Sequence, residues 1–281
     1  MPWPFSQPVK KQIARIEVCG AIMGATRKRV LKALKTVEER GFPALLLRID
    51  SPGGTVGDSQ EIYAALKRLR SKMKIVASFG NISASGGVYI GMGAEHIMAN
   101  PGTITGSIGV ILRGNNLERL LDKIGVSFKV IKSGPYKDIL AFDRELTDEE
   151  KNILQDLIDT SYGQFVQTVA EGRNLSEETV RTFADGRVFT GQQALGLGLV
   201  DRLGTEEDAR RWTAELAGLD VEKTKLVPIE EPKSLMSRLL PSRGESRFQN
   251  QALVSRVLGL GQDWMEFELA TSGLPLWLYR P

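Results

Sequence analysis

The chain has a single cysteine, Cys19, and a single histidine, His96, among its 281 residues. One cysteine excludes an intrachain disulfide and any multi-cysteine metal site, and it suits a reducing compartment. Within ARIEVCGAI it reads as a small apolar residue buried in a strand. One histidine leaves His96 as the sole conventional base for a serine nucleophile anywhere in the chain. Long apolar runs are also missing: nowhere do about 18 to 20 uncharged apolar residues follow one another, so no spanning helix is expected. The opening MPWPFSQPVKKQ has no apolar core behind a basic start, and neither an export signal nor an anchor is expected there. The expected location is therefore cytoplasmic or peripheral to a membrane, with Trp3, Phe5 and the C-terminal LPLWLYRP as the residues able to touch a lipid surface. Charge of one sign is scarce as well. The formal net charge is +3, and basic residues alternate with acidic ones, so no basic stripe marks a nucleic-acid partner.

What is present suits a folded core. Hydrophobic residues make up 42% of the chain, enough for one large domain. From residue 12 to about 204, short apolar runs alternate with amphipathic stretches, the pattern of an α/β fold with parallel strands. ARIEVCGAI, ALLLRID, KIVASF, HIMA, GVIL and FKVIK read as strands. TRKRVLKALKTVEERG reads as a helix opened by Thr26 and stopped by Gly41, and DSQEIYAALKRLRSK as the next. Beyond Leu146 the signal is helical, with Thr147 and Glu150 forming a capping box and another helix starting at Ser176. PIEEPKS and PSRGESRFQ read as linkers around short helical pieces. The expected organisation is an N-terminal segment over 1–11, a main domain over 12–227 and a tail over 228–281.

Two glycine-rich turns follow predicted strands. In DSPGG, Gly53 and Gly54 leave bare backbone N–H groups open to close approach. In SASGGVYIG, Ser85 precedes Gly86, Gly87 and a helix start, which sets its hydroxyl near a positive helix end. Such a pair of turns can supply a nucleophile and two N–H groups, from Gly54 and Gly86, aimed at an oxygen that becomes negative as an acyl carbon turns tetrahedral. His96 enters a predicted strand and reads as a strand-edge residue. A neutral lysine can replace it as base if burial lowers its pKa by about three units, at about 4 kcal/mol. Lys137 follows a turn between Tyr136 and Ile139–Leu140, but composition does not select it from the other lysines.

The motifs DSPGG at 50–54, SASGGVYIGMGAEHIMANPGTITGSIGV at 83–110, KSGPYKD at 132–138 and DGRVFTGQQALGLGLVDRLG at 185–204, in unbroken order, closely resemble the signal peptide peptidase SppA family of Ser/Lys serine peptidases. The resemblance implies a Clp protease/crotonase-like spiral of ββα units with a helical C-terminal region. It implies Ser85 as nucleophile, Lys137 as general base, Ser107 as the residue orienting that lysine, and Gly54 and Gly86 as oxyanion donors. It implies no metal and no cofactor. Partners implied are apolar or unfolded peptide substrates, signal-peptide remnants among them, and other copies of the chain in a ring. Two other readings use the same turns: a crotonase-type acyl-CoA enzyme, with Glu95, Asp143 or Glu145 as acid and base, and an inactive scaffold that binds membrane proteins through the same groove.

Overall fold

The computed structural model describes residues 9–229 and 276–278. Along the chain these form β1 (Ile13–Cys19), α1 (Gly24–Arg40), β2 (Ala44–Ser51), β3 (Gly53–Thr55), α2 (Val56–Leu69), β4 (Lys74–Ala84), α3 (Gly86–Gly91), β5 (His96–Ala99) and β6 (Ile104–Gly106). There follow α4 (Glu118–Lys123), α5 (Asp148–Arg173), α6 (Glu177–Arg181), β7 (Val188–Thr190), α7 (Gly191–Gly196), β8 (Arg202–Leu203), α8 (Glu206–Leu216), β9 (Leu226–Pro228) and β10 (Leu276–Leu278). This is the α/β spiral that the sequence implies.

The central strands are apolar on both faces because both faces are covered. Ala44 to Leu47 on β2 and Ile75 to Ala77 on β4 are fully buried. The main sheet runs β7-β6-β4-β2-β1-β9, with β5 set beside β4 and β8 beside β5. β1, β2, β4 and β5 are parallel, whereas β6 and β7 are antiparallel. One face carries α1, α2, α3 and α5, whose Val30, Leu34, Ile62, Leu66, Val88, Phe165 and Val169 close over the sheet. The other carries α8, with Trp212 and Ala209 against Leu46, Val76 and Met98.

Helix ends follow local chemistry. α1 stops at Gly41, which adopts the left-handed conformation (φ 69°) and sends its N–H back to Glu38 and Val37. Its start lies ahead of Thr26, at Met23, because the Thr26 hydroxyl is spent donating to the Ala21 carbonyl. The Thr147–Glu150 capping box opens α5, and the Ser176 side chain caps α6.

Three expectations need correction. Cys19 is exposed: it is the last residue of β1, still paired with Asp50 of β2, and it shares the face of the strand on which Glu17 is also exposed. GVIL and FKVIK are not strands. A strand exists only where a neighbouring edge takes up its backbone groups, and among the described residues neither run lies in a strand, Ile111 being a lone bridge residue. Phe128, Val130 and Ile131 stand exposed there instead. The expected helical pieces of the tail lie outside the described residues. No helix among the described residues is long and apolar enough to cross a membrane.

α5 is fastened to the sheet face by Phe165, fully buried with its ring 5.3 Å from Tyr89 in an edge contact. Phe165→Ala is expected to cost about 3–5 kcal/mol in a chemical denaturation curve, from lost burial plus an unfilled cavity.

Candidate active site

The C-terminal ends of β2 and β4 are bent into place by a defined irregularity. The two strands stay in step to Ile49 and Phe79 and regain pairing at Ser51 and Ser83, so β4 takes the longer path between. The Asp50 carboxylate holds that bulge. It accepts from the Asn81 N–H (3.3 Å), the Asn81 side-chain amide (3.0 Å) and the Ile82 N–H (3.1 Å). Gly80 is glycine for the same reason, because a Cβ there would meet Asp50. Asp50 was read from the sequence only as part of a turn motif. Its partners lie about thirty residues on, a separation that periodicity does not register.

The bulge delivers Ser85 to a strand-to-helix corner. Ser85 has φ 52° and ψ −114°, backbone angles that an L-residue adopts only under external constraint. The constraint comes from both sides: its N–H donates to the Gly106 carbonyl (2.8 Å), and its carbonyl accepts from the Tyr89 N–H (3.0 Å). The Ser85 Oγ is buried and has no hydrogen-bond partner. A buried hydroxyl ordinarily finds one. α3 begins at the next residue, Gly86, so the hydroxyl sits at its first turn.

Ser107 occupies the equivalent corner on the neighbouring strand. It follows β6, whose Gly106 pairs with Ala84 of β4, and it too has a positive φ of 51°. It lines a cleft of about 410 Å³ with Ile111, Ile158 and Tyr162. On the other flank, Gly54 lies in β3 and bridges Ile22 so closely that a Cβ would collide with the Ile22 carbonyl oxygen. β3 also touches α3. The structure thus gathers Ser85, Gly86, Ser107 and Gly54 at one end of the sheet.

It does not bring His96 there. His96 pairs with Val76 near the start of β4, so nine residues of strand separate it from the Ser85 corner, on the order of 25–30 Å. There its ring stacks on Trp212 (4.7 Å), with Nδ1 4.0 Å from Asp201, which also binds Arg173. Glu95, its neighbour, is paired with Lys74 at 2.9 Å. Nor does Lys137 reach Ser85 within one chain, since the Ser85 Oγ has no partner and Lys137 is exposed.

The Lys137 loop is nonetheless held firmly at the adjacent residue, by a cluster the sequence did not reveal. Asp138 accepts from Lys132 Nζ (2.6 Å) and Arg144 Nη2 (2.9 Å), and Arg144 Nη1 reaches the buried Glu150 at 2.7 Å. Arg144 above all, then Lys132, holds the Asp138 carboxyl well below its usual range. Arg144, helped by the Thr147 N–H, holds Glu150 at about 2. Only the capping half of the Glu150 role was legible, as the Thr147–Glu150 spacing. No group of three or more His, Cys, Asp or Glu able to hold a metal ion occurs among the described residues.

A parallel α/β sheet ending in this serine corner belongs to the class of α/β hydrolytic enzymes. The comparisons narrow the class. The profile of Peptidase family S49 matches residues 67–220, and the chain belongs to that family. A Synechocystis sp. relative bearing a provisional protease name is 71% identical over 282 residues, covering 100% of both chains. An Enterococcus faecium relative, provisionally named signal peptide peptidase SppA, is 36% identical over 212 residues, 71% of this chain and 62% of its own. Among solved structures, a membrane-bound stomatin-specific protease shares the fold, with TM-score 0.54 and 15% identity over 80% of this chain and 99% of its own.

The Glu150 anchor carries a pH signature. A carboxyl whose folded pKa is depressed stabilises above its ordinary value, here 4.5, and loses that contribution as pH falls toward about 2. Acidification through this window is expected to expose the 132–150 loop to pepsin before the sheet opens. Glu150→Gln is expected to show the same loosening to trypsin at neutral pH.

Proposed function

We propose that this peptidase is a serine endopeptidase in which Ser85 is the nucleophile and Lys137, from a neighbouring copy of the chain, is the general base. The observation that carries the reading is the Ser85 corner itself: a buried hydroxyl without a partner, on strained backbone, at the first turn of a helix. The chain's one histidine lies on β5 beside the start of β4, away from this corner, and the resemblance to the SppA family supplies a lysine as the base instead. Lys137 is exposed in the single chain, whereas a lysine that serves as a base needs an enclosed, desolvated site. Burial against a second copy would remedy that. The same segment carries the exposed Leu120, Ile124, Phe128, Ile131 and Phe142, an apolar surface of the kind that subunit contacts cover.

In this mechanism the Ser85 Oγ attacks the peptide carbonyl carbon while its proton passes to the Lys137 amine. The carbonyl oxygen turns negative between the N–H groups of Gly54 and Gly86. The C–N bond then breaks, Lys137 returns the proton to the leaving amine, and water repeats the sequence to release the acyl group. Ser107, at the twin corner, orients the lysine. Substrates are apolar, extended or unfolded segments, signal-peptide remnants among them. Neither a metal nor a cofactor enters these steps. The crotonase alternative is less well served, because Glu95 is committed to Lys74 and stands beside His96 at the opposite end of the sheet.

Cleavage of an unfolded apolar peptide, read by mass spectrometry, tests the assignment. Ser85→Ala and Lys137→Ala are each expected to lower kcat/KM by about 10³-fold or more, Ser107→Ala by about 10- to 100-fold, and His96→Ala by less than about twofold. An inactive His96→Ala with an active Lys137→Ala would refute the dyad. Coassembled Ser85→Ala and Lys137→Ala chains are expected to recover up to about a quarter of parental activity, as random pairing across heterologous contacts allows. Mixed assemblies verified by native mass spectrometry yet inactive would place both residues within one chain.

A further inference from the structure

β7 is the edge of the main sheet and is only three residues long, paired antiparallel to β6 with Thr105 opposite Phe189 and Gly106 opposite Val188. Just before it, residues 185–187 fold back through Gly186, whose φ of 88° suits glycine. This turn grips the Ser107 corner at two successive residues. The Ser107 N–H donates to the Arg187 carbonyl (2.7 Å), and the Gly186 N–H donates to the Ile108 carbonyl (3.1 Å). The turn is closed on itself by Asp185, whose carboxylate accepts from the Arg187 N–H (3.2 Å) and from Arg187 Nε (2.7 Å). From α5, the Tyr162 hydroxyl donates to the Ala184 carbonyl (2.8 Å) and so ties down the start of the turn. Asp185 and Gly186 line the same cleft as Ser107. Gly106, whose carbonyl holds the Ser85 N–H, abuts this segment too, because a Cβ there would strike Phe189 and the Arg187 carbonyl.

We propose that Asp185 braces the Ser107 corner, as a positioning residue for the reaction: it sets the Arg187 carbonyl that holds the Ser107 N–H. The inference rests on the proposed function in one respect, the use of the Ser107 hydroxyl to orient Lys137. Ser107 has a positive φ, so its conformation must be imposed from outside the residue. At Ser85 the imposing groups belong to β6 and α3. At Ser107 the N–H is held by the turn ahead of a short edge strand, and Asp185 is the side chain that keeps Arg187 in place. Asp185 is 48% exposed and Arg187 60%, and ion pairs so exposed add little to global stability. The effect of Asp185 is therefore local, on where Ser107 points rather than on whether the sheet forms. The Arg187 guanidinium above all, then the Arg187 N–H, holds the Asp185 carboxyl at about 2. A carboxyl lowered in this way gives up its interaction only as pH falls toward that value, so the brace persists at every pH where a lysine can act as base.

Hydrogen exchange tests the brace without catalysis. In Asp185→Ala the Ser107 amide is expected to exchange about tenfold faster or more, with the β2 and β4 amides and the denaturation midpoint unchanged. Asp185→Asn keeps an oxygen able to accept the Arg187 N–H, and is expected to stay within about threefold of the parent. Glu177→Ala, which removes a comparably exposed ion pair to Arg181 on α6, is expected to leave Ser107 exchange as it is. With an unfolded apolar peptide, Asp185→Ala is expected to lower kcat about tenfold while KM moves less than about twofold, and Asp185→Asn to recover most of the loss. In a Ser107→Ala chain, adding Asp185→Ala is expected to cost less than about twofold more, because the hydroxyl through which Asp185 acts is already gone. Ser107 exchange unchanged in Asp185→Ala, or faster exchange throughout the sheet, would overturn the proposal. So would a full tenfold loss that persists in the Ser107→Ala chain. If the exchange result holds while the parent chain cleaves no peptide, the brace on the Ser107 corner stands and the peptidase mechanism fails.

Discussion

The parallel ladder between β4 and β6 is the contact on which the candidate site depends. It ends at Ala84 and Gly106, and the next residue on each strand, Ser85 and Ser107, is thrown into positive φ. Backbone strain of this kind costs about 1–3 kcal/mol per residue and persists only where the surroundings over-determine it. Here the Gly106 carbonyl fixes the Ser85 N–H, α3 fixes its carbonyl, and the Asp50 carboxylate fixes the bulge just upstream. A corner held from three sides leaves the Ser85 hydroxyl buried without a partner in the single chain, a state that ordinary packing avoids.

The rest of the molecule divides by how it is held. Residues 13–106 and 148–216 bury their apolar side chains against one sheet. Residues 111–142 expose theirs and are secured chiefly by charge, through the chain Lys132–Asp138–Arg144–Glu150. An ionic anchor fixes where Asp138 sits without enclosing Lys137. This division explains why the loop is positioned in the single chain while its lysine stays exposed. β10 extends the same logic to the opposite flank, where backbone pairing covers Gly54.

Much of this was legible in sequence. ALLLRID and KIVASF are apolar enough to demand burial on both faces, and the Thr147–Glu150 spacing announced a helix start that the structure contains. Of the two glycine pairs read as turns after strands, Gly86–Gly87 opens α3 directly after β4, whereas Gly53–Gly54 lies in the short strand β3. GVIL and FKVIK misled because β-branched content signals a strand only where a partner edge exists. β6, β7 and β8, at three residues or fewer, are too short to show a period of two. The Arg144–Asp138 contact lies within one loop that has no period to announce it. The Asp50 clamp joins residues about thirty apart, and the β3–β10 pairing joins positions more than two hundred residues apart. Nothing local encodes such pairings.

The claim at the centre of this account is that Ser85 attacks an acyl carbon. It is tested most directly by trapping the acyl-enzyme. The protein is mixed with an apolar peptide ester, quenched in acid within milliseconds to seconds, and mapped by tandem mass spectrometry. The account predicts one acyl group per modified chain, on Ser85, with Ser83 and Ser107 unmodified and no adduct when Lys137 is alanine. Ester turnover with the acyl group on another residue, or on none, would contradict it.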